Sequence, residues 1–443
     1  MCRNSGSSSF SMQRLFISLV CVCVLSRQLW AQDDEFVFDV EEFESKTFEL
    51  RGYLELEPVY AKANQSGALY QLKLFDFGPE KTLNELTTSV ELEARFKKGI
   101  TSGKLLAHSE ILQDYAGETQ QHDLFEGYIT LQPDPGLAFD FGKKAMRWGK
   151  GYAWNPVAFV ERSKDAGDPD LAREGYWIAA LDWIKRFQGP LQTFALTALV
   201  LPVDEDINDD FGKPDNNHIA AKLYFLYHDI DIDLMFLSEG SRGAQWGVDF
   251  SKNLAPHFEI HGELAYYEDV THRTVTGDCK TGKPLIKDEI SYLLGLRYRT
   301  SEDITFILEY YGNGRGNSKS QQQQFYRCVH QAWETGSQAL LNQLPLNKDI
   351  DKGPFSRPNP MRRYLGFRSW WEEPADFLYM TAGLQVLYNL EDESFSVSPE
   401  VSYDGFENVE LKLRGTLPLG DELTEWGEKP NDYKLEAQLR LYF

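Results

Sequence analysis

The strongest constraint in this chain is an alternation of apolar and polar side chains, with period two, that recurs along almost its whole length. Phe48, Leu50, Leu54 and Leu56 interleave with Glu49, Arg51, Glu55 and Glu57. Leu86, Val90, Leu92, Ala94 and Phe96 interleave with Glu85, Glu91, Glu93, Arg95 and Lys97. Near the end, Leu435, Ala437, Leu439, Leu441 and Phe443 interleave with Lys434, Glu436, Gln438 and Arg440. A period of two places successive side chains on opposite faces of a strand, one apolar and one wet. The wet face carries too many charges for the dry interior of a sandwich. It suits a solvated sheet or a water-filled lumen.

Connection lengths separate those two possibilities. Short turns are expected at 98–102, 133–136, 188–189, 228–229, 253–256 and 301–303, with longer polar stretches at 62–83, 148–173, 203–216, 270–286 and 314–359. Short and long connections alternate, as in an outer-membrane barrel with short periplasmic turns and long extracellular loops. With both termini on the periplasmic side, the strand count must be even. A first pass gives 17 strands and leaves the polar stretch 418–431 on the wrong side. A strand at Arg362–Trp371 followed by a turn at Glu372–Asp376 repairs both faults. The expected fold is therefore all-β, a closed antiparallel transmembrane barrel of 18 strands, or 16 if a short hairpin is misread.

Arg3 and Arg14 precede an apolar run from Leu15 to Leu25, and Leu29-Trp30-Ala31 offers a cleavage site. This is the pattern of an export signal over 1–31, and the run is too short to span a bilayer as a helix. The acidic segment 32–46 is then a periplasmic tail or a strap in the barrel mouth, and 47–443 is the barrel. Removing 1–31 takes away three arginines and no acid, moving the formal charge from −23 to −26. Acids outnumber Lys plus Arg by 68 to 45, which argues against nucleic-acid binding, since phosphate contacts need a basic face. Aromatic pairs near strand ends (Trp183 and Phe187, Tyr224 and Tyr227, Tyr266 and Tyr267, Tyr310 and Tyr311, Trp370 and Trp371, Tyr442 and Phe443) fit interfacial girdles.

Two cysteines remain after the signal, Cys279 and Cys328, in long connections on the oxidising side. An exported chain with two thiols implies one disulfide, the alternative being two free loop thiols. His257 and His261 share a strand face, but about 13 Å separates positions four apart, too far for one metal. No metal, cofactor or catalytic set is expected.

The densest constellation runs from Phe139 to Glu174. Lys143, Lys144, Arg147, Lys150, Arg162, Lys164 and Arg173 form a basic island beside Asp165 and Asp168 in an otherwise acidic chain. Such a loop either folds inward and narrows the lumen, where its charges set selectivity, or lies on the rim held by local ion pairs. A strand carrying Gly142-Lys143-Lys144, then Trp148-Gly149-Lys150-Gly151, Asn155-Pro156, a paired Asp-Pro and Arg173-Glu174-Gly175 resembles the porin-like family related to alginate-export channels. That resemblance implies a Gram-negative outer-membrane channel; its best-known member conducts a polyanionic polysaccharide through an arginine-rich pore. Here the wet-face charges are mixed and net acidic. The terminal Phe443, after Leu439, Leu441 and Tyr442, is similar to the C-terminal signal of outer-membrane proteins read by the barrel-assembly machinery. The expected function is a channel passing an unidentified solute, with outer-membrane lipid, lipopolysaccharide and the assembly machinery as partners. The rivals are a non-conducting structural or adhesin-like barrel and, further off, an outer-membrane enzyme.

Overall fold

The computed structural model describes residues 47–162, 166, 174–346 and 353–443, so the expected signal and acidic segment lie outside the described residues. Eighteen antiparallel strands form one closed sheet in which each strand pairs with its sequence neighbours and β18 pairs with β1. They are β1 (Phe48–Ala63), β2 (Glu85–Lys98), β3 (Thr101–Asp114), β4 (Gly117–Asp134), β5 (Leu137–Lys144), β6 (Tyr176–Arg186), β7 (Leu191–Val203), β8 (Asn216–Tyr227) and β9 (Ile230–Leu237). The second half comprises β10 (Gln245–Ala255), β11 (Phe258–His272), β12 (Leu285–Arg299), β13 (Ile304–Gly312), β14 (Arg363–Glu372), β15 (Met380–Asn389), β16 (Phe395–Phe406), β17 (Val409–Leu419) and β18 (Asn431–Tyr442). Closure is made by main-chain bonds between Gly52 and Phe443 in both directions, 2.9 and 3.0 Å. No edge is left along the seam, as a bilayer core requires.

The alternation sorts cleanly. Leu50, Leu264, Leu294 and Leu413 stand exposed on the outer face, while Arg440 reaches from the inner face of β18 to Glu55 at 2.7 Å and to Glu410 at 3.2 Å. Three connections depart from the short–long rule. The β3–β4 hairpin turns in two residues, 115–116, and the β15–β16 connection in five, 390–394, at the long-loop end, while the β14–β15 turn takes seven, 373–379, at the other. The aromatic pairs also divide. Trp183 and Phe187 are both exposed, as a girdle needs, but Tyr267 and Tyr311 are buried on the inner face. Adjacent residues on a strand must point oppositely, so only one of an adjacent pair can meet lipid.

At the long-loop end, α1 (Ala68–Lys73), α2 (Lys319–Thr335) and α3 (Gln338–Leu341) build a cap. Ser318 and Gln321 close a capping box at the start of α2, and Gly336, at φ 61°, ends it. Leu69, Leu72, Phe325, Val329, Leu341 and Phe355 form its core. Glu428 joins three loops, accepting from the Ala68 amide at 2.5 Å, the Leu423 amide at 2.6 Å and His330 at 3.1 Å. Cys279 and Cys328 are disulfide-bonded, tying the β11–β12 loop to α2 across 49 residues. The chain-entropy estimate for a loop of that length is about 4 kcal/mol. Replacing both cysteines by serine should therefore raise hydrogen exchange in 319–335 while the strands keep their protection. Equal exchange in α2 with and without the bond would show that the apolar core alone holds the cap.

Candidate functional site

The β5–β6 connection does not stay on the rim. Glu263 and Glu309 face the lumen, since their neighbours Leu264 and Leu308 are exposed on the lipid side. Glu263 accepts from the amides of Lys150 at 2.6 Å and Gly151 at 2.7 Å with one oxygen, and from Val157 at 3.3 Å with the other. Glu309 accepts from Tyr152 at 2.7 Å and Ala153 at 2.8 Å. Four consecutive amides, 150–153, are thus gripped by carboxylates of β11 and β13. Farther on, Trp154 stacks on Tyr311 with centroids 5.2 Å apart and donates to Asn359 at 3.1 Å, and Gln385 of β15 bonds the Ala166 carbonyl. Trp154 also lies against Tyr364 of β14, centroids 5.9 Å apart, and in an 18-strand ring β14 lies nine strands from β5 either way, so the segment crosses the lumen.

The glycines of the Trp148-Gly149-Lys150-Gly151 motif follow from this contact. Gly149 has φ 95°, and a Cβ there would sit 2.7 Å from a Glu263 oxygen. A Cβ on Gly151 would overlap the Trp154 carbonyl. Only glycine lets the backbone come this close to the wall carboxylate. Behind the segment, Trp148, Val157, Phe159 and Val160 pack with Leu201, Leu237 and Tyr267 in a dry cluster inside the barrel, and the Tyr267 hydroxyl donates to the Pro156 carbonyl at 2.5 Å.

The basic island is dispersed among carboxylates. Lys143 pairs with Glu174 at 2.5 Å, Lys144 with Asp140, and Lys150 with Asp233 at 2.9 Å. Arg162 bridges Glu174 at 3.0 Å and Asp210. Burial works against the Lys150 charge, yet Asp233 and Asp249 outweigh it and hold the ammonium above its ordinary value. Arg147 is exposed and makes no ion pair among the described residues. Lys164, Asp165, Asp168 and Arg173 lie outside the described residues. Except at Arg147, the described cations of the island are therefore paired with carboxylates.

Free positive charge sits elsewhere. Arg242 comes from the β9–β10 connection, Arg315 and Arg357 from the β13–β14 connection, and none has a carboxylate within salt-bridge reach among the described residues. Arg242 lies over the Phe211 ring at 3.8 Å, and Arg315 over Tyr267 at 4.4 Å. Arg357 donates to the Arg315 carbonyl at 2.8 Å. Burial, and then the like charge of Arg315, hold Arg242 and Arg357 below the usual arginine range. Sequence reading missed these three and also Glu263 and Glu309. The available signal was an acid and a tyrosine on one strand face, Glu263 with Tyr267 and Glu309 with Tyr311.

The segment divides the lumen into two halves. On the inner faces of β9, β10, β11 and β13, Asp233, Asp249, Glu263 and Glu309 are at most 4% exposed. On the opposite half, Glu55, Glu126, Glu400, Glu410, Lys104, Arg414 and Arg440 form ion pairs whose side chains keep 10 to 22% exposure. That half is wet and charged.

No protein-family model matches the sequence, and no curated protein matches it. The likeness to alginate-export channels thus has no support from sequence comparison. Solved structures do match in fold. OccAB1 of Acinetobacter baumannii shares 8% identity over 90% of this chain and 97% of its own, with a TM-score of 0.53. OccK5 of Pseudomonas aeruginosa shares 12% over 89% and 98%, with a TM-score of 0.51. Wzi of Escherichia coli, described as an outer-membrane protein of group 1 capsule assembly and a carbohydrate-binding β-barrel, shares 11% over 91% and 86%, with a TM-score of 0.53. At these identities the kinship is one of architecture: this chain has the closed antiparallel barrel of outer-membrane proteins.

Proposed function

We propose that this protein is a channel of the bacterial outer membrane that passes small solutes along the open half of its lumen. The observation that carries the reading is the division of the lumen: one wall is dried by the 145–162 segment while the other keeps solvated ion pairs. Crossing solutes meet a bore narrowed by a fixed partition, with selection by size and by charge at that constriction. Long loops then face outward and the C-terminal strand inward, which sets lipopolysaccharide around the upper rim and makes Phe443 a handle for barrel assembly. The fold likeness to OccAB1 and OccK5 supports the setting.

A second reading has its own support. The cap and the dry cluster fill much of the outer mouth, and Wzi, a barrel of the same architecture, is described as carbohydrate-binding. In that reading the barrel holds a sugar chain and conducts little. Purified protein in planar bilayers distinguishes the two. Discrete conductance steps, together with swelling of liposomes in small sugars, are expected; silent bilayers with retained glycan binding would favour the second reading.

A further inference from the structure

We infer that Glu263 and Glu309 are the positioning residues that set the bore, a step that rests on the channel reading. The island's own side chains cannot do this alone. Lys143, Lys144 and Arg162 pair with acids of β5, of residue 174 and of the β7–β8 loop, on the near side of the lumen. What reaches the far wall is backbone, through amides 150–153 and 157, plus the Lys150 ammonium and the Trp154 ring.

Successive amides pointing the same way form a concave anion receptor. Here the protein's own carboxylates fill it. Each is nearly sealed from solvent, and each gains from several charge-assisted bonds at once. Glu309 is fixed in turn by His261, whose ring nitrogen lies 2.9 Å away on β11. Asp249 stands directly opposite both Asp233 and Glu263 in strand register, and its carboxylate finds no hydrogen-bond donor among the described residues. Lys150, 2.9 Å from Asp233, brings a cation of the segment to this acidic row. Backbone capture has a consequence for sequence: Gly149, against Glu263, and Gly151, against the Trp154 carbonyl, leave no room for a side chain.

The test is single-channel recording on Glu263→Ala/Glu309→Ala, paired with a spin label at position 152. Removing both acceptors should free the segment, raise conductance about twofold and broaden open-channel noise. The label should become mobile while the barrel still migrates as the compact, heat-modifiable form. The double Gln variant keeps a carbonyl acceptor at each site and should fall between the two. Should the Ala variant fail to assemble, Gly151→Ala, which displaces the same backbone from within the segment, should raise conductance in the same way. Unchanged conductance and an immobile label in an assembled double variant would overturn the clamp. A silent wild-type protein would instead remove the channel reading, and label mobility alone would then decide the clamp.

Discussion

Replacing Arg315 and Arg357 with alanine is expected to move the reversal potential toward cation selectivity, changing the permeability ratio by on the order of threefold. The ground is an imbalance of partners. Lumenal cations elsewhere sit beside acids: Lys104 reaches Glu93 and Glu126, Arg414 reaches Glu400, and Arg440 reaches Glu55 and Glu410. Such pairs present little net field to a passing ion. Arg242, Arg315 and Arg357 face tyrosine and phenylalanine rings and main-chain carbonyls instead, and none is in a salt bridge among the described residues. They also stand where the bore is set, since Tyr267 and Tyr311 carry the segment and Arg315 lies over Tyr267.

Ionic strength supplies the check on mechanism. At 1 M salt the screening length falls to about 3 Å, against about 10 Å at 0.1 M. The difference between wild type and the double variant should therefore shrink as salt rises. A shift of equal size at both concentrations would mean that the arginines act on bore shape rather than on field. No shift at either concentration would place them away from the ion path.

The barrel was legible because its signal is repeated. The same alternation recurs from strand to strand, and parity places a strand at Arg362–Trp371 inside one long polar stretch, one residue from the observed Arg363–Glu372. Side-chain phase was legible too, with Leu435 outside and Arg440 inside. The site was much less so. Period two tells which face a residue occupies but not what packs on that face, so Glu263 and Glu309 read as ordinary lumenal acids. Likewise, Lys150 looked like free charge in the sequence. Its partner Asp233 lies 83 positions away on β9, and only the crossing of the segment brings the two together. Arg242, Arg315 and Arg357 are spread over two connections and share no spacing that a linear reading could detect.

The lipid-facing phase predicts the largest stability effect. Leu439 lies on the outer face of β18, in register with Leu56 of β1 and Leu411 of β17, so an arginine there would be held against hydrocarbon by apolar neighbours on both sides. Leu439→Arg should cost about 2–4 kcal/mol if it lies near the bilayer midplane, and Leu441→Arg, nearer the interface, should cost less. Glu436 points inward beside Lys434, 2.7 Å away, on a wall that water reaches. Glu436→Gln loses one partly solvated pair and should cost under about 1 kcal/mol. Equilibrium unfolding in vesicles of defined thickness measures all three. The expected order is Leu439→Arg, then Leu441→Arg, then Glu436→Gln, and thinner bilayers should compress the first two toward each other. Equal losses at Leu439 and Glu436 would mean that β18 meets lipid with the other face, and the inward assignment of Arg440 and its carboxylate partners would fall with it.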